Sequence, residues 1–558
     1  MNKILKNIII KSVGEVISEA GGDCSGLNIY LENTKERKFG DWSLNTALRL
    51  AKQFKKSPFE IAEIICSGLK EKIIKYSVAD KIKNIEIKAP GFINIFLADS
   101  AFYDLLNTIC LEKDRFGSCV IGKEEKVLLE FVSANPTGPL SIAHARQAAV
   151  GDTLANILKF CGYNVTKEYY INDQGNQIKM LGLSLRARYL EKKHNKIVNL
   201  PADGYKGQYL SELSECIIKE EKASGKTVDI DNLDFFSEYA AEKILRGIKT
   251  ELTEFGVEFD CWFSQKELSA SGAVLETLKK LEENNYTYQK DGAVWFKSTD
   301  FGDDKDRVLV KSDQQFTYLT PDLAYHRLKF DRGYTKLIDI LGPDHHGYIN
   351  RLKAGVCALG HKKDGLSVII IQLASLFRNA EPVAMSTRAG EYITLEELIK
   401  ETGKGPARFF FLMRKCDAHL EFDLELAKKK SLENPVYYVQ YAYARISGIL
   451  ALKDREKKSS LSVIPDFSLL KERAEFDLIA KMNCFSEVVV NCALNLEPLS
   501  LTVYLRELAG EFHTFYSQHK VISEDNKLTA ARLALVSCAA QVISNGLKLL
   551  GIDAPKRM

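Results

Sequence analysis

Apolar and polar residues alternate along this chain in three successive rhythms, and each rhythm predicts a different kind of structure. Between residues 1 and 112 the signals are mixed. The opening MNKILKNIIIKSVGEVISEAGGD has lysines on both sides of a three-isoleucine run and reads as an amphipathic helix. A signal peptide would need a longer apolar stretch and a small-residue cleavage site. Leu44, Ala47, Leu48 and Ala51 predict one apolar stripe on a helix. Ser57-Pro58-Phe59-Glu60 has the cap, proline and acid order that starts another helix. IEIKAPGFINIFLAD alternates around a Pro-Gly turn and predicts a hairpin-like pair of strands. A charged patch from Asp114 to Lys126 closes this small α/β module.

From Val127 the rhythm becomes strand, loop, helix. VLLEFV is an apolar strand, SANPTGPLSIAH a Pro/Gly loop, and ARQAAVGDTLANILKF a helix ending near Gly162. NVTKEYYIND is the next strand, so a parallel sheet with a right-handed crossover is predicted. A helical, charged stretch from about 178 to 305 reads as an insertion, after which VLVKS, KLIDILG and SVIIIQLASL resume the sheet. Beyond about residue 405 no strand pattern remains. Leu533, Val536, Ala540, Ile543, Leu547 and Leu550 mark the buried face of a helix, with Gly551 as its C-cap. The predicted architecture is multidomain α/β: a small N-terminal α/β module (1–112), an α/β domain with a parallel sheet (113–404, insertion about 178–305), and an all-α C-terminal bundle (405–558).

Composition changes this picture little. At 558 residues, 46% hydrophobic and 27% charged, the chain is too long for one core and too apolar for a disordered or collagenous protein. Lys and Arg number 77 against 74 acids, a formal charge of +3, so any nucleic-acid site must be a local basic patch. No uninterrupted apolar run reaches the roughly 18 residues of a membrane span. The 12 cysteines are scattered without a C-x-x-C pair, which argues for free thiols in a reducing cytoplasm.

Four polar clusters interrupt the pattern. The loop Ser133–His144 leaves a strand and enters a helix, where free N–H groups favour a phosphate and His144 can donate to it; a plain Pro/Gly connection has the same look. Tyr318-Leu319-Thr320-Pro321-Asp322 places an acid at a helix start, which also suits a simple cap. Gly342-Pro343-Asp344-His345-His346-Gly347 follows a strand, where open sheets bind ligands; a metal is a weaker reading, because adjacent histidines do not easily face one ion and no third ligand is visible. Ala384-Met385-Ser386-Thr387-Arg388-Ala389-Gly390 alone would pass for a turn.

Taken in order, these clusters resemble the class I aminoacyl-tRNA synthetases, and specifically the arginyl-tRNA synthetase family. SANPTGPLSIAHARQAAVGD stands where that family has its HIGH signature, and AMSTRAG where it has KMSKS. EFVSANPTGPL, YYINDQGNQI, TYLTPDLAYH, GPDHHGYINRLKA and NPVYYVQYAYAR are similar to arginyl-enzyme segments, as are FGDWSLNTALRLAKQ, APGFINIFL and ARLALVSCAAQVISNGLKLLGIDAPKRM. The resemblance spans essentially the whole chain.

It implies a Rossmann-like class I catalytic domain that activates L-arginine with ATP and Mg²⁺ and passes the arginyl group to the 3′-terminal ribose of tRNA(Arg). It further implies that activation requires bound tRNA. For arginine it implies Asp322 and Tyr318 at the guanidinium, Asn135 and Asp344 at the α-amino end, and Ser133 on the rim. Gln265 stands where the family usually has a second carboxylate. For ATP it implies Pro136, Thr137, Gly138, Pro139, Ala143, His144, Met385 and Thr387. Ser141, His144, Ser386 and Arg388 are then the catalytic group, and Gln177, Tyr437 and Tyr441 face tRNA. The first module would contact the tRNA corner and the bundle the anticodon, with Lys52, Lys55, Lys56 and Lys428–Lys430 as phosphate-contact candidates.

The departures are local. Ser141 and Ala143 replace the first histidine and the glycine of HIGH, and Ala384 and Thr387 replace both lysines of KMSKS. Gly138 stands where some relatives carry a compensating lysine. A non-catalytic tRNA- or arginine-binding relative, and a nucleotidyltransferase without tRNA, are the competing readings. A monomer without a membrane partner is expected.

Overall fold

The computed structural model describes residues 2–23, 27–34, 36–195, 198–379, 381–383, 392–455 and 465–558. The N-terminal module runs α1 (Asn2–Glu19), β1 (Leu31–Asn33), β2 (Trp42–Leu44), α2 (Thr46–Phe54), α3 (Pro58–Lys75), β3 (Ile82–Lys88), β4 (Phe92–Leu97) and α4 (Asp99–Glu112). Its strands form an antiparallel sheet ordered β1-β2-β4-β3, with β3 and β4 as the expected hairpin. Ser57 and Glu60 exchange the two bonds of a capping box at the start of α3, with Pro58 in the first turn. Leu44 departs from the expected helical stripe. It ends β2, because pairing with Ile93 buries it in the sheet while the helix starts only at Thr46.

The central domain opens with β5 (Lys126–Glu130), α5 (Ile142–Phe160), β6 (Asn164–Ile171) and the helices α6 (Asn176–His194), α7 (Gln208–Ser224) and α8 (Leu233–Glu254). Then follow β7 (Cys261–Ser264), α9 (Gln265–Ala270), α10 (Ala273–Glu283), β8 (Thr287–Lys290), β9 (Ala293–Phe296), β10 (Arg307–Val310) and α11 (Leu319–Asp331). β11 (Lys336–Leu341), α12 (Ile349–Ala358) and β12 (Leu366–Ile370) complete it. The main sheet is parallel, ordered β12-β11-β5-β6-β7, so the winding reverses between β5 and β11.

Two expectations change here. The stretch from 178 to 305 is not a clean insertion, since β7 returns to the main sheet as its edge strand beside β6. VLVKS lies instead in a separate antiparallel sheet, β10-β9-β8. Both runs are short and apolar, and a strand's own pattern does not say which neighbour it pairs with.

The remainder contains β13 (Ala374–Arg378), β14 (Glu381–Pro382), α13 (Leu395–Thr402), α14 (Lys404–Leu412), β15 (Leu420–Asp423) and α15 (Leu424–Lys428). SVIIIQLASL is therefore two strands, β12 and β13, in different sheets. Between them the Gln372 N–H donates to the Cys416 carbonyl, and the Gln372 carbonyl accepts from Arg146. Strands also continue past residue 405, because β15 pairs in parallel with β13. Arg146 lies one turn into α5. It is fully buried and donates to the carbonyls of Gln372, Ala418 and Lys415, which ties α5 to this layer.

The bundle comprises α16 (Pro435–Arg455), α17 (Arg473–Asn483), α18 (Phe485–Asn495), α19 (Leu499–Gln518) and α20 (Asn526–Leu549). By composition α20 is long and apolar enough to cross a membrane, yet 72% of that window is buried inside the fold. Its end is pinned to the central domain by Arg408, which donates to the Leu550 carbonyl and to Asp152 at 2.6 Å.

Candidate active site

Open parallel sheets bind ligands beyond the carboxyl ends of their strands, at the point where the winding reverses. Here that point lies between the loop leaving β5 and the end of β11. A cavity of about 310 Å³ opens there, lined by Ala143, His144, Gln147, Gly342, Asp344 and Gln372.

The β5 loop enters the site through two strained residues, Val132 at φ +67° and Ser133 at φ +40°, both in the left-handed region that L side chains avoid. Ser133 keeps this bend by donating to Glu130 at 2.9 Å and accepting from the Tyr170 N–H at 3.0 Å. Its hydroxyl thus belongs to the frame of the site. Asn135 donates to Gln177 at 2.6 Å, so the two residues assigned to arginine and tRNA stand side by side. Pro136 is buried, whereas Thr137, Gly138 and Pro139 are half-buried along the loop.

At the start of α5, the Ser141 N–H donates to His144 Nδ1 at 3.2 Å, and the Ser141 hydroxyl lies equally close. Burial pushes the His144 pKa down to about 4, so the ring is neutral at physiological pH. With Nδ1 accepting, the proton sits on Nε2, the tautomer that donates to a phosphate oxygen. Ser141 therefore takes the part of an orienting cap. Asp344 is exposed at the mouth of the same cavity, with His345 Nε2 3.4 Å from its carboxylate.

The other flank holds the residues expected around a guanidinium. A second cavity of about 290 Å³ is lined by Gln174, Gln265, Ser269, Phe316, Tyr318 and Pro321. Gln265 follows the edge strand β7, and Tyr318 is 83% exposed at the start of α11. Asp322 lies one turn along α11 and accepts from the Tyr348 hydroxyl at 2.6 Å. Burial raises its pKa, and the Tyr348 bond opposes that rise. Among the described residues no ion pair neutralises this carboxylate, and a planar guanidinium is the kind of group that could.

Beneath Asp322 runs a buried charge lattice that the sequence reading did not single out. His326 faces the Asp322 carbonyl through Nδ1 and the Asp339 carboxylate through Nε2, each at 2.7 Å. Lys329, wholly buried, bridges Glu130 at 2.6 Å and Asp339 at 2.9 Å. Burial alone would lower the Lys329 pKa, but Asp339 and Glu130 carry it upward. Arg332 grips both oxygens of Glu168, at 2.6 and 2.9 Å, and the Tyr325 hydroxyl adds a third bond. The available signal was an acid inside an apolar strand: Glu130 in VLLEFV and Asp339 in KLIDIL.

Three family descriptions match the chain. "tRNA synthetases class I (R), catalytic domain" matches residues 106–411, "Arginyl tRNA synthetase N terminal domain" residues 5–97, and "DALR anticodon binding domain" residues 439–558.

The chain belongs to the arginyl-tRNA synthetase family.

An arginine–tRNA ligase of Desulfosudis oleivorans is 45% identical over 535 residues, covering 95% of each chain. One from Geobacter sp. strain M21 is 43% identical over the full length of both. The Thermus thermophilus arginyl-tRNA synthetase structure superposes with a TM-score of 0.78 at 19% identity, covering 99% of this chain and 100% of its own, which supports the fold. Within this arginyl-tRNA synthetase fold, the second signature (Ala384, Met385, Ser386, Thr387 and Arg388) lies outside the described residues. On the bundle, Tyr437 and Tyr441 stack at 6.1 Å, and the exposed Arg445 lies over Tyr441 and Tyr516 at 5.6 and 4.3 Å. Arg445 had not been singled out from sequence. Lys428 and Lys429 are held in ion pairs with Glu425 and Glu433, whereas Lys52, Lys55 and Lys56 are exposed.

Proposed function

We propose that this chain activates L-arginine with ATP and transfers it to the 3′-terminal ribose of tRNA(Arg), working as a monomer in the cytoplasm. The observation that carries the arginine assignment is the half-buried carboxylate of Asp322, which accepts from the Tyr348 hydroxyl and has no ion-pair partner among the described residues. In this reading Asp322 pairs with the guanidinium and Tyr318 closes over it. Asn135 and Asp344 take the α-amino end, and Gln265 contributes an amide where a second acid is usual. The amide still accepts a hydrogen bond but supplies no charge.

The carboxylate of arginine attacks the α-phosphorus of ATP and diphosphate leaves. His144 donates from Nε2 to a phosphate oxygen as charge builds there. Among the described residues no group of three His, Cys, Asp or Glu side chains could hold a metal ion. Mg²⁺ is taken to enter with the substrate, on the ATP phosphates. Gln177, beside Asn135, is placed to meet the tRNA end. The Tyr437, Tyr441, Tyr516 and Arg445 cluster offers stacking faces to unpaired anticodon bases.

Charging assays test this reading directly. With ATP, a bulk tRNA pool and each radiolabelled amino acid in turn, arginine alone is expected to become acid-precipitable on tRNA. Binding of tRNA or arginine without charging would favour the non-catalytic alternative. Activation still needs a cation at the leaving diphosphate, and within the second signature Arg388 is the available one. Arg388→Ala is expected to lower kcat about 10²-fold with little change in KM for arginine. Thr387→Lys in that background should recover part of the loss, and a near-normal kcat for Arg388→Ala would remove Arg388 from the mechanism.

A further inference from the structure

The β5 loop carries an unusual hydrogen-bonding problem. Pro136 and Pro139 have no N–H, so the loop is short of internal donors for its own carbonyls. Three tyrosine hydroxyls from separate parts of the chain supply them. Tyr169 of β6 donates to the Ala134 carbonyl at 2.8 Å, Tyr209 of α7 to the Thr137 carbonyl at 2.6 Å, and Tyr392 to the Pro139 carbonyl at 3.0 Å.

The last two converge on one point. A Cβ added to Gly138 would lie 3.5 Å from both the Tyr209 and the Tyr392 hydroxyl oxygens. Because each peptide is planar, fixing the Thr137 carbonyl also fixes the direction of the Gly138 N–H, which points the opposite way. Tyr392 stands just beyond the second signature. Two residues later Thr394 bridges to Ser141, and the Leu395 N–H donates to the Leu140 carbonyl at 2.9 Å. The return from the second signature is thus stitched to the exit of the first.

We infer that Tyr209 and Tyr392 are positioning residues of the activation step, whose hydroxyls hold the Thr137 and Pro139 carbonyls and so set the backbone that faces ATP. Tyr392 reaches this loop from the segment that leads into α13. Tyr209 gives the helical segment between β6 and β7 a part in activation. The inference rests on the reading above that this loop faces the nucleotide.

Tyr209→Phe and Tyr392→Phe each remove a single oxygen, and both are assayed in aminoacylation at varied ATP, arginine and tRNA, with His144→Ala alongside. Each is expected to lose about tenfold in kcat/KM for ATP, the effect of one half-buried carbonyl left without its donor, while KM for arginine stays within about twofold. Tyr392→His, which returns an N–H donor near the same place, should recover part of the loss. Unchanged kcat/KM for ATP in both Phe variants, with His144→Ala impaired, overturns the positioning role alone. No effect in His144→Ala either overturns the nucleotide reading and this inference with it. A parallel loss for ATP and arginine with a lowered melting midpoint assigns the tyrosines to general stability and also overturns the proposal. If one Phe variant fails to fold, the other decides, because the two hydroxyls come from separate parts of the chain; failure of both counts against the proposal.

Discussion

Asp322→Asn is expected to reduce kcat/KM for arginine by about 10²- to 10³-fold while leaving KM for ATP within a few-fold. Removing one partner of a buried charge pair costs about 3–5 kcal/mol, because the other charge stays uncompensated. Asparagine keeps the shape and a hydrogen-bond acceptor for Tyr348, so the loss reports charge rather than packing. The same residue sets a pH dependence. In the arginine-free protein burial raises the Asp322 pKa, and arginine binds the ionised form. Binding is therefore complete above that raised pKa and weakens as pH falls through it. KM for arginine should rise on acidification at a pH above the usual aspartate range, and this inflection should vanish in Asp322→Asn. An unchanged KM for arginine in the variant would place the guanidinium elsewhere.

The second large effect is on stability. Lys329→Met keeps the side-chain volume but strands Glu130 and Asp339 opposite one another in the middle of the main sheet. A loss of about 3–5 kcal/mol is expected in the urea unfolding of the central domain. The sign with pH is opposite to that of an ordinary salt-bridge loss at low pH. The stranded carboxylates have raised pKa values in the variant, so lowering the pH protonates one of them and the deficit shrinks. A variant within about 0.5 kcal/mol of the parent at neutral pH would mean that water or a rearranged cation replaces Lys329. Because His326 joins Asp339 to the Asp322 carbonyl, arginine affinity should weaken in Lys329→Met even where it remains folded.

Much of this was legible before any coordinates. The capping box at Ser57, the β3–β4 hairpin, the β5–α5–β6 crossover and the α20 face all follow from local period and cap chemistry, which act within a few residues. The polar clusters of the candidate site were legible because polar, glycine- and proline-rich loops interrupt strong apolar runs. Whole-chain family segments made the arginyl reading specific.

Other features depended on partners far away in the chain. β7 and β10 are equally short runs, yet one completes the parallel sheet and the other an antiparallel one. Arg146, one turn into α5, is spent on three carbonyls, two of them in the segment between Lys415 and Ala418. Ser141, read as the lost first histidine of a signature, orients the remaining one. Lys329, Glu130 and Asp339 meet across 199 and 10 residues of chain.

The sequence by itself thus determined most of the helices and several strands, where the polar loops lie, and the family to which they belong. Periodicity, caps and loop composition are local and survive without a fold. Only the tertiary structure decided which strands pair, which charges neutralise one another and which hydroxyls hold the Thr137 and Pro139 carbonyls. Those outcomes depend on desolvation and on distances between distant residues, which exist only once the chain has closed on itself.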